Sequence, residues 1–168
     1  MDIGNLLFNT NGRIGQKDFW IGVAIIFVGN LLVNVIPFLG ILIWLALIWV
    51  GIAVYGKRLH DVGKSAWLHA VPWGVNILLG LIAAIMIGGA IIAAAASGGE
   101  DEGVIAILAG SGVAISLILL GNLVWLGYTI WVGLMPSEPG DNAYGPAPVI
   151  EGAVQPVQSE PQATDEPS

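Results

Sequence analysis

The chain contains no cysteine, which excludes disulfides, thiolate metal sites and cysteine nucleophiles. Formal charge is also scarce: 10% of residues are charged, against about 25% in ordinary soluble domains. Cations are scarcest. The five present, Arg13, Lys17, Lys57, Arg58 and Lys64, fall in two short clusters, too few to neutralise a run of phosphates, so nucleic acid is not an expected partner. The net charge of −7 does not point to a basic partner, because six of the twelve acidic residues lie in the last 33 positions. Nor is a cleaved apolar leader expected. The first 18 residues, including Asp2, Asn5, Asn9 and Asn11, are too polar to hold a signal-peptide core of about 7–15 apolar residues, so the first apolar segment is expected to stay as an anchor.

What remains is apolar: 56% of the 168 residues are hydrophobic, and Phe19 to Gly56, Ser65 to Gly99 and Gly103 to Ser137 carry no Asp, Glu, Lys or Arg. A helix crossing a hydrocarbon core of about 30 Å needs about 20 apolar residues at about 1.5 Å each. The first stretch is long enough for two crossings and divides at Ile36-Pro37-Phe38-Leu39-Gly40, since proline cannot continue a helix without losing a backbone bond. The other two exceed one crossing. Pro72 divides the second into an interfacial piece at Trp67–Val71 and a span, and Pro136 ends the third. The expectation is an all-α integral membrane protein with four transmembrane helices, at about 19–36, 38–56, 72–96 and 104–135.

Lys and Arg beside spans stay on the cytoplasmic side, and the two basic clusters are separated by two crossings, so both can face the same way. Both termini are then cytoplasmic, the Glu100-Asp101-Glu102 loop lies outside, and residues 1–18 and 136–150 flank the membrane domain on one side. Trp20, Trp49, Trp67, Trp73, Trp125 and Trp131 fall toward that side, at the depth amphipathic indoles prefer. Residues 151–168 are rich in Pro, Gln, Glu and Ser and are expected to be a disordered acidic tail.

The densest polar cluster is Lys57-Arg58-Leu59-His60-Asp61-Val62-Gly63-Lys64, where Arg58 and Asp61 are three apart and can pair on a helical turn. Its plain reading is a positive-inside anchor closed by Gly63; its functional reading is a site for lipid head groups or a partner. His60 and His69 are the only histidines, with only Asp61 close by. A metal would need more ligands, so neither metal nor cofactor is expected. Glu100-Asp101-Glu102 lacks the alternating ligand spacing of a calcium loop.

Within the spans, Asn30 and Asn34 share a face of the first helix, and Asn76 and Asn122 lie in the third and fourth. Amides in hydrocarbon need partners, so these are expected to bond across helices. As a conduit for ions they are poor, since no charge accompanies them. Gly80, Ala84 and Gly88 in the third span and Ala106, Gly110 and Ala114 in the fourth recur every four residues. Such ridges let helices approach closely and are expected to pack these two spans together or to join two copies of the chain.

Three segments together carry a family resemblance: Gly12-Arg13-Ile14-Gly15-Gln16-Lys17-Asp18-Phe19-Trp20, Lys57-Arg58-Leu59-His60-Asp61-Val62-Gly63-Lys64-Ser65-Ala66-Trp67, and Pro139-Gly140-Asp141-Asn142-Ala143-Tyr144-Gly145-Pro146. In order and spacing they resemble the bacterial inner-membrane family of the YhaH type, a domain of unknown function, over about residues 5–148. The resemblance implies four spans in a bacterial cytoplasmic membrane and no defined activity. Ala66 departs from a common small residue such as Gly, and the outer loop and tail are particular to this chain.

With both termini cytoplasmic, Arg13, Arg58, His60, Asp61, Asn142 and Tyr144 would form one polar cap, with Tyr144 packing on Trp20 or Trp67. The function expected is binding of membrane lipids or a membrane-protein partner, a second copy included, through that cap. The alternative is a transport or permeation component lined by Asn30, Asn34, Asn76 and Asn122. An enzyme using His60 and Asp61 ranks last, because no nucleophile, metal set or cofactor loop accompanies them.

Overall fold

A computed structural model describes residues 2–35, 39–97 and 101–148. Among them the chain is helical, with no strand: α1 (Ile3–Phe8), α2 (Gln16–Val35), α3 (Leu39–Asp61), a 3-10 turn (Ala66–His69), α4 (Ala70–Ala96) and α5 (Asp101–Leu134). Four helical segments are long and apolar enough to cross a membrane. The turn expected at Pro37, the residue Glu100 and the tail 151–168 lie outside the described residues.

The basic stretch expected to leave the second span is itself helical, so Lys57, Arg58 and Asp61 are part of α3. Gly63 ends that helix. Its φ of +72° lets the Lys64 N–H reach Leu59 O at 2.8 Å and the Gly63 N–H reach His60 O at 3.1 Å, a left-handed closure that a Cβ would strain. At the start of α5 the expected loop is shorter than foreseen: Asp101 and Glu102 form the first helical turn, where carboxylates favour the exposed N–H groups of the helix end.

The helices pair as two hairpins, and glycine sets both contacts. A Cβ on Gly22 would lie 2.7 Å from Val54, and one on Gly29 2.7 Å from Leu47, so α2 and α3 are closely apposed. Between α4 and α5, a Cβ on Gly110 would lie 2.5 Å from the Ala90 methyl, and one on Gly121 2.5 Å from Asn76. The α5 half of the expected small-residue ridge is therefore in the interface, with Gly110 and Ala114 buried. Its α4 half is not. Nothing approaches Gly80 or Gly88 within 4 Å, and Asn76, Ala83 and Ala90, seven apart, mark the seam instead. Seven-residue spacing is the repeat of helices crossing at a shallow left-handed angle, and it turns the four-residue ridge away from the contact.

The two hairpins meet mainly at one end. No Cα of α4 comes within 8 Å of one in α2 or α3. The hydrophobic core gathers where the polar segments are, in Leu6, Ile14, Phe19, Val50, Val54, Tyr55, Leu59 and Val132. Farther along the helices, large apolar side chains such as Ile85 (71% exposed) and Leu108 (67%) face outward, a surface suited to hydrocarbon.

Candidate functional site: a buried ionic clasp and an intramembrane cleft

An α-helix leaves its last carbonyls without internal partners, and two helices here end near the cations of α3. Arg58 donates from Nε to Val132 O at 3.3 Å and from Nη2 to Met135 O, covering the end of α5. Lys57 Nζ donates to Asn5 O at 2.6 Å and Leu6 O at 2.9 Å, in α1. Gln16 adds a bond from Nε2 to Met135 O at 3.1 Å. Positive groups at carbonyl ends are favoured by the helix dipole.

Asp61 joins the two arginines. Its Oδ1 accepts from Arg13 Nε at 3.2 Å, and its Oδ2 accepts from Arg58 Nη1 and from Ser137 Oγ at 2.5 Å. All three charged side chains are fully enclosed. Arg13 reaches further, to Glu138 O at 2.6 Å and Gly140 O at 2.7 Å. Such a charge cluster survives burial because every ion is paired and hydrogen-bonded.

The third polar segment closes over these groups. Asn142 donates from Nδ2 to His60 O at 2.9 Å and to Glu138 Oε2 at 2.7 Å, and its Oδ1 accepts the Tyr144 N–H at 2.9 Å. His60 Nδ1 lies 3.2 Å from Gly12 O, which can only accept, so that nitrogen carries a proton. Tyr144 stacks on His60, centroids 4.0 Å apart and planes within 4°. The expected packing of Tyr144 on Trp20 or Trp67 is thereby corrected: the His60 ring presents a flat face in the same polar layer. Arg13, Arg58, His60, Asp61, Asn142 and Tyr144 thus converge in space. Lys57, Ser137 and Glu138 belong with them, though sequence reasoning left them out. Ser137 and Glu138 directly follow Pro136 at the end of the last span, and that position was the available signal.

The arrangement is a clasp. With Asp61 enclosed and holding donors on both oxygens, it offers no open carboxylate to a substrate, and Arg58 offers no open guanidinium to a phosphate.

The intramembrane asparagines are distributed around a different feature, a cleft of about 600 Å³ between the hairpins. Asn76 bonds across helices as expected, from Nδ2 to Gly121 O at 3.3 Å, as well as to Pro72 O at 2.9 Å. Asn122 instead donates to Ile118 O of its own helix at 2.8 Å, and Asn30 donates to Ile26 O at 2.9 Å. For Asn122 the expected cross-helix bond is therefore replaced by one within its own helix, because the cleft separates the helices that would have to meet. Asn30, Asn76 and Asn122 all line it; the side chain of Asn34 lies outside the described residues. At one end of the cleft, Tyr55 Oη lies 2.7 Å from Thr129 Oγ1 and stacks on His69 with centroids 4.5 Å apart.

Together these features define an all-helical, multi-pass membrane protein whose two helical hairpins are tied at one end by buried ions. The chain belongs to the family described as protein of unknown function (DUF805), whose model matches residues 7–146. It is similar to the protein named Uncharacterized protein YiiR in Escherichia coli strain K12 and in E. coli O157:H7, in each case 37% identical over 83 residues. The match covers 44% of this chain and 57% of those relatives. No solved structure matches the chain.

Proposed function

We propose that this is a non-enzymatic protein of the bacterial cytoplasmic (inner) membrane, with both termini in the cytoplasm, that binds lipid head groups or a membrane-protein partner at its polar end. Orientation follows from the confinement of all five cations to that end of the chain's helices. The observation that carries the binding role is the rim around the clasp. Trp67 is 84% exposed, and Lys64 Nζ sits 5.9 Å from the centroid of the Trp131 ring. Indoles and ammonium groups at this depth meet head groups, while the inner ions serve to shape the rim.

The test has two arms. A reporter fused after the tail should read cytoplasmic; a periplasmic signal overturns the orientation. Native mass spectrometry of protein released gently from its membrane should show bound lipid or a partner, reduced in Trp67→Ala/Lys64→Ala. An unchanged complement would leave the rim as a topological anchor.

A second reading, a component of a transport or permeation pathway, is favoured by the cleft. Its lining contains no Asp, Glu, Lys or Arg, so the solute would be neutral. Flux of an uncharged solute into proteoliposomes that persists in Asn122→Leu would count against this reading.

A further inference from the structure

The cleft differs from an ordinary packing defect in what lines it. Apolar side chains such as Phe27, Leu47 and Leu126 share the wall with the amides of Asn30, Asn76 and Asn122. Asn30 lies about 20 Å from the start of α2 at 1.5 Å per residue, a depth at which water is scarce and an exposed amide is costly. Yet Asn30 and Asn122 are both exposed. Asn122 uses one N–H on Ile118 O, and its side-chain carbonyl accepts no bond from the described residues. A molecule dissolved in the membrane would satisfy that amide, and the space is large enough to hold one: about 600 Å³ lies within the range of roughly 300–1,000 Å³ typical of small-molecule sites.

The chemistry of the walls narrows the occupant. No Asp, Glu, Lys or Arg lines the cleft, so a phosphate or ammonium head group would enter without a fixed counter-charge and lose its hydration. A neutral head group with oxygens suits amide donors and acceptors. The polar end of the cleft is aromatic. Trp73 and Trp125 meet edge to face at 5.3 Å, and Tyr55 stacks with His69. Rings of this kind favour flat partners in offset or edge contact. The hydroxyls there are already engaged, Thr129 Oγ1 donating to Trp125 O at 2.9 Å while standing 2.7 Å from Tyr55 Oη. The open amide of Asn122 is therefore a polar contact left for a ligand.

We propose that the cleft between the hairpins binds a neutral, ring-headed lipid of the quinone class, its ring oxygens at Asn122 and its apolar chain along Phe27 and Leu126. The site is separate from the head-group rim around Trp67 and does not depend on it.

The test uses the full chain in nanodiscs of phosphatidylethanolamine and phosphatidylglycerol, titrated with decylubiquinone and followed by native mass spectrometry and tryptophan quenching. Saturable binding of one molecule per chain is expected. Asn122→Leu removes the amide, and Gly51→Leu fills the space, since a Cβ at Gly51 would meet only His69 Nε2, at 3.9 Å. Each should weaken binding at least tenfold, whereas Trp67→Leu should leave it unchanged. Circular dichroism identifies which variants keep their helices. Quenching that rises linearly without saturation overturns the proposal from the wild type alone, whatever the variants do. Equal binding by a folded variant overturns the assigned site. Displacement by diacylglycerol at equal concentration overturns the ring-headed class.

Discussion

The two ends of the bundle are held by different physics. At the polar end Arg13, Arg58 and Asp61 are buried together, and the two arginines donate to carbonyls at the end of α5 and in the segment beyond it. Toward the other end, α4 and α5 touch through Gly110 against Ala90 and Gly103 against Ala94, contacts that involve no charged side chain. Charges tie the non-helical segments around Arg13 and Glu138 to the ends of α3 and α5. Small residues suffice where two long helices already lie side by side, because lipid gives no hydrophobic push and close approach supplies the attraction.

The sharpest way to break this contrast is Asp61→Ala, which strands two enclosed guanidinium groups. Removing one partner of a buried ionic set costs about 3–5 kcal/mol, and the loss should appear as a lower midpoint in SDS-induced unfolding and as protease access to the 138–145 segment. If the midpoint is unchanged, the ions do not hold the polar end. Gly110→Leu should act at the other end. Overpacking costs about 1–3 kcal/mol, and cysteine cross-linking across the α4–α5 seam should fall while the clasp stays protected. Gly63→Ala forces a side chain into positive φ beside Glu138, 2.7 Å from its Oε2, for about 1–2 kcal/mol. Smallest of all is Tyr55→Phe, which removes the bond to Thr129 and should cost about 0.6 kcal/mol, the average for hydrogen bonds between membrane helices. Raising salt separates the rim from the interior: enclosed pairs are screened far less than exposed ones, so the unfolding midpoint should barely move between low and high sodium chloride.

Much of the architecture was legible because charge in this chain is so rare. The uncharged stretches mark four helices, and the i,i+3 spacing of Arg58 and Asp61 anticipates their pairing. The six residues expected in the cap do converge. What the pattern could not supply was direction. Beyond Asn76, helix α4 carries no polar stripe, and Asn76 stands four residues before Gly80 and seven before Ala83, so it does not distinguish the face of Gly80 and Gly88 from that of Ala83 and Ala90. Nor does sequence spacing reveal that Lys57 ends on α1 carbonyls or that Tyr144 chooses His60, since those contacts depend on loops turned by glycines at positive φ, Gly12 at +91° and Gly140 at +71°. Of the asparagines expected to bond across helices, Asn76 does so, whereas Asn122 turns to a carbonyl of its own helix beside the cleft.

Arg13 precedes all four long helices in the chain, yet the carbonyls that receive it belong to Glu138 and Gly140. During synthesis its guanidinium, and that of Arg58 behind it, must wait until the last helix has crossed and the segment beyond Pro136 has emerged. Closure of the fold is thus registered chemically at a single place, and a chain stopped at Met135 would leave Arg13 without the carbonyls of Glu138 and Gly140 and Asp61 without the Ser137 hydroxyl.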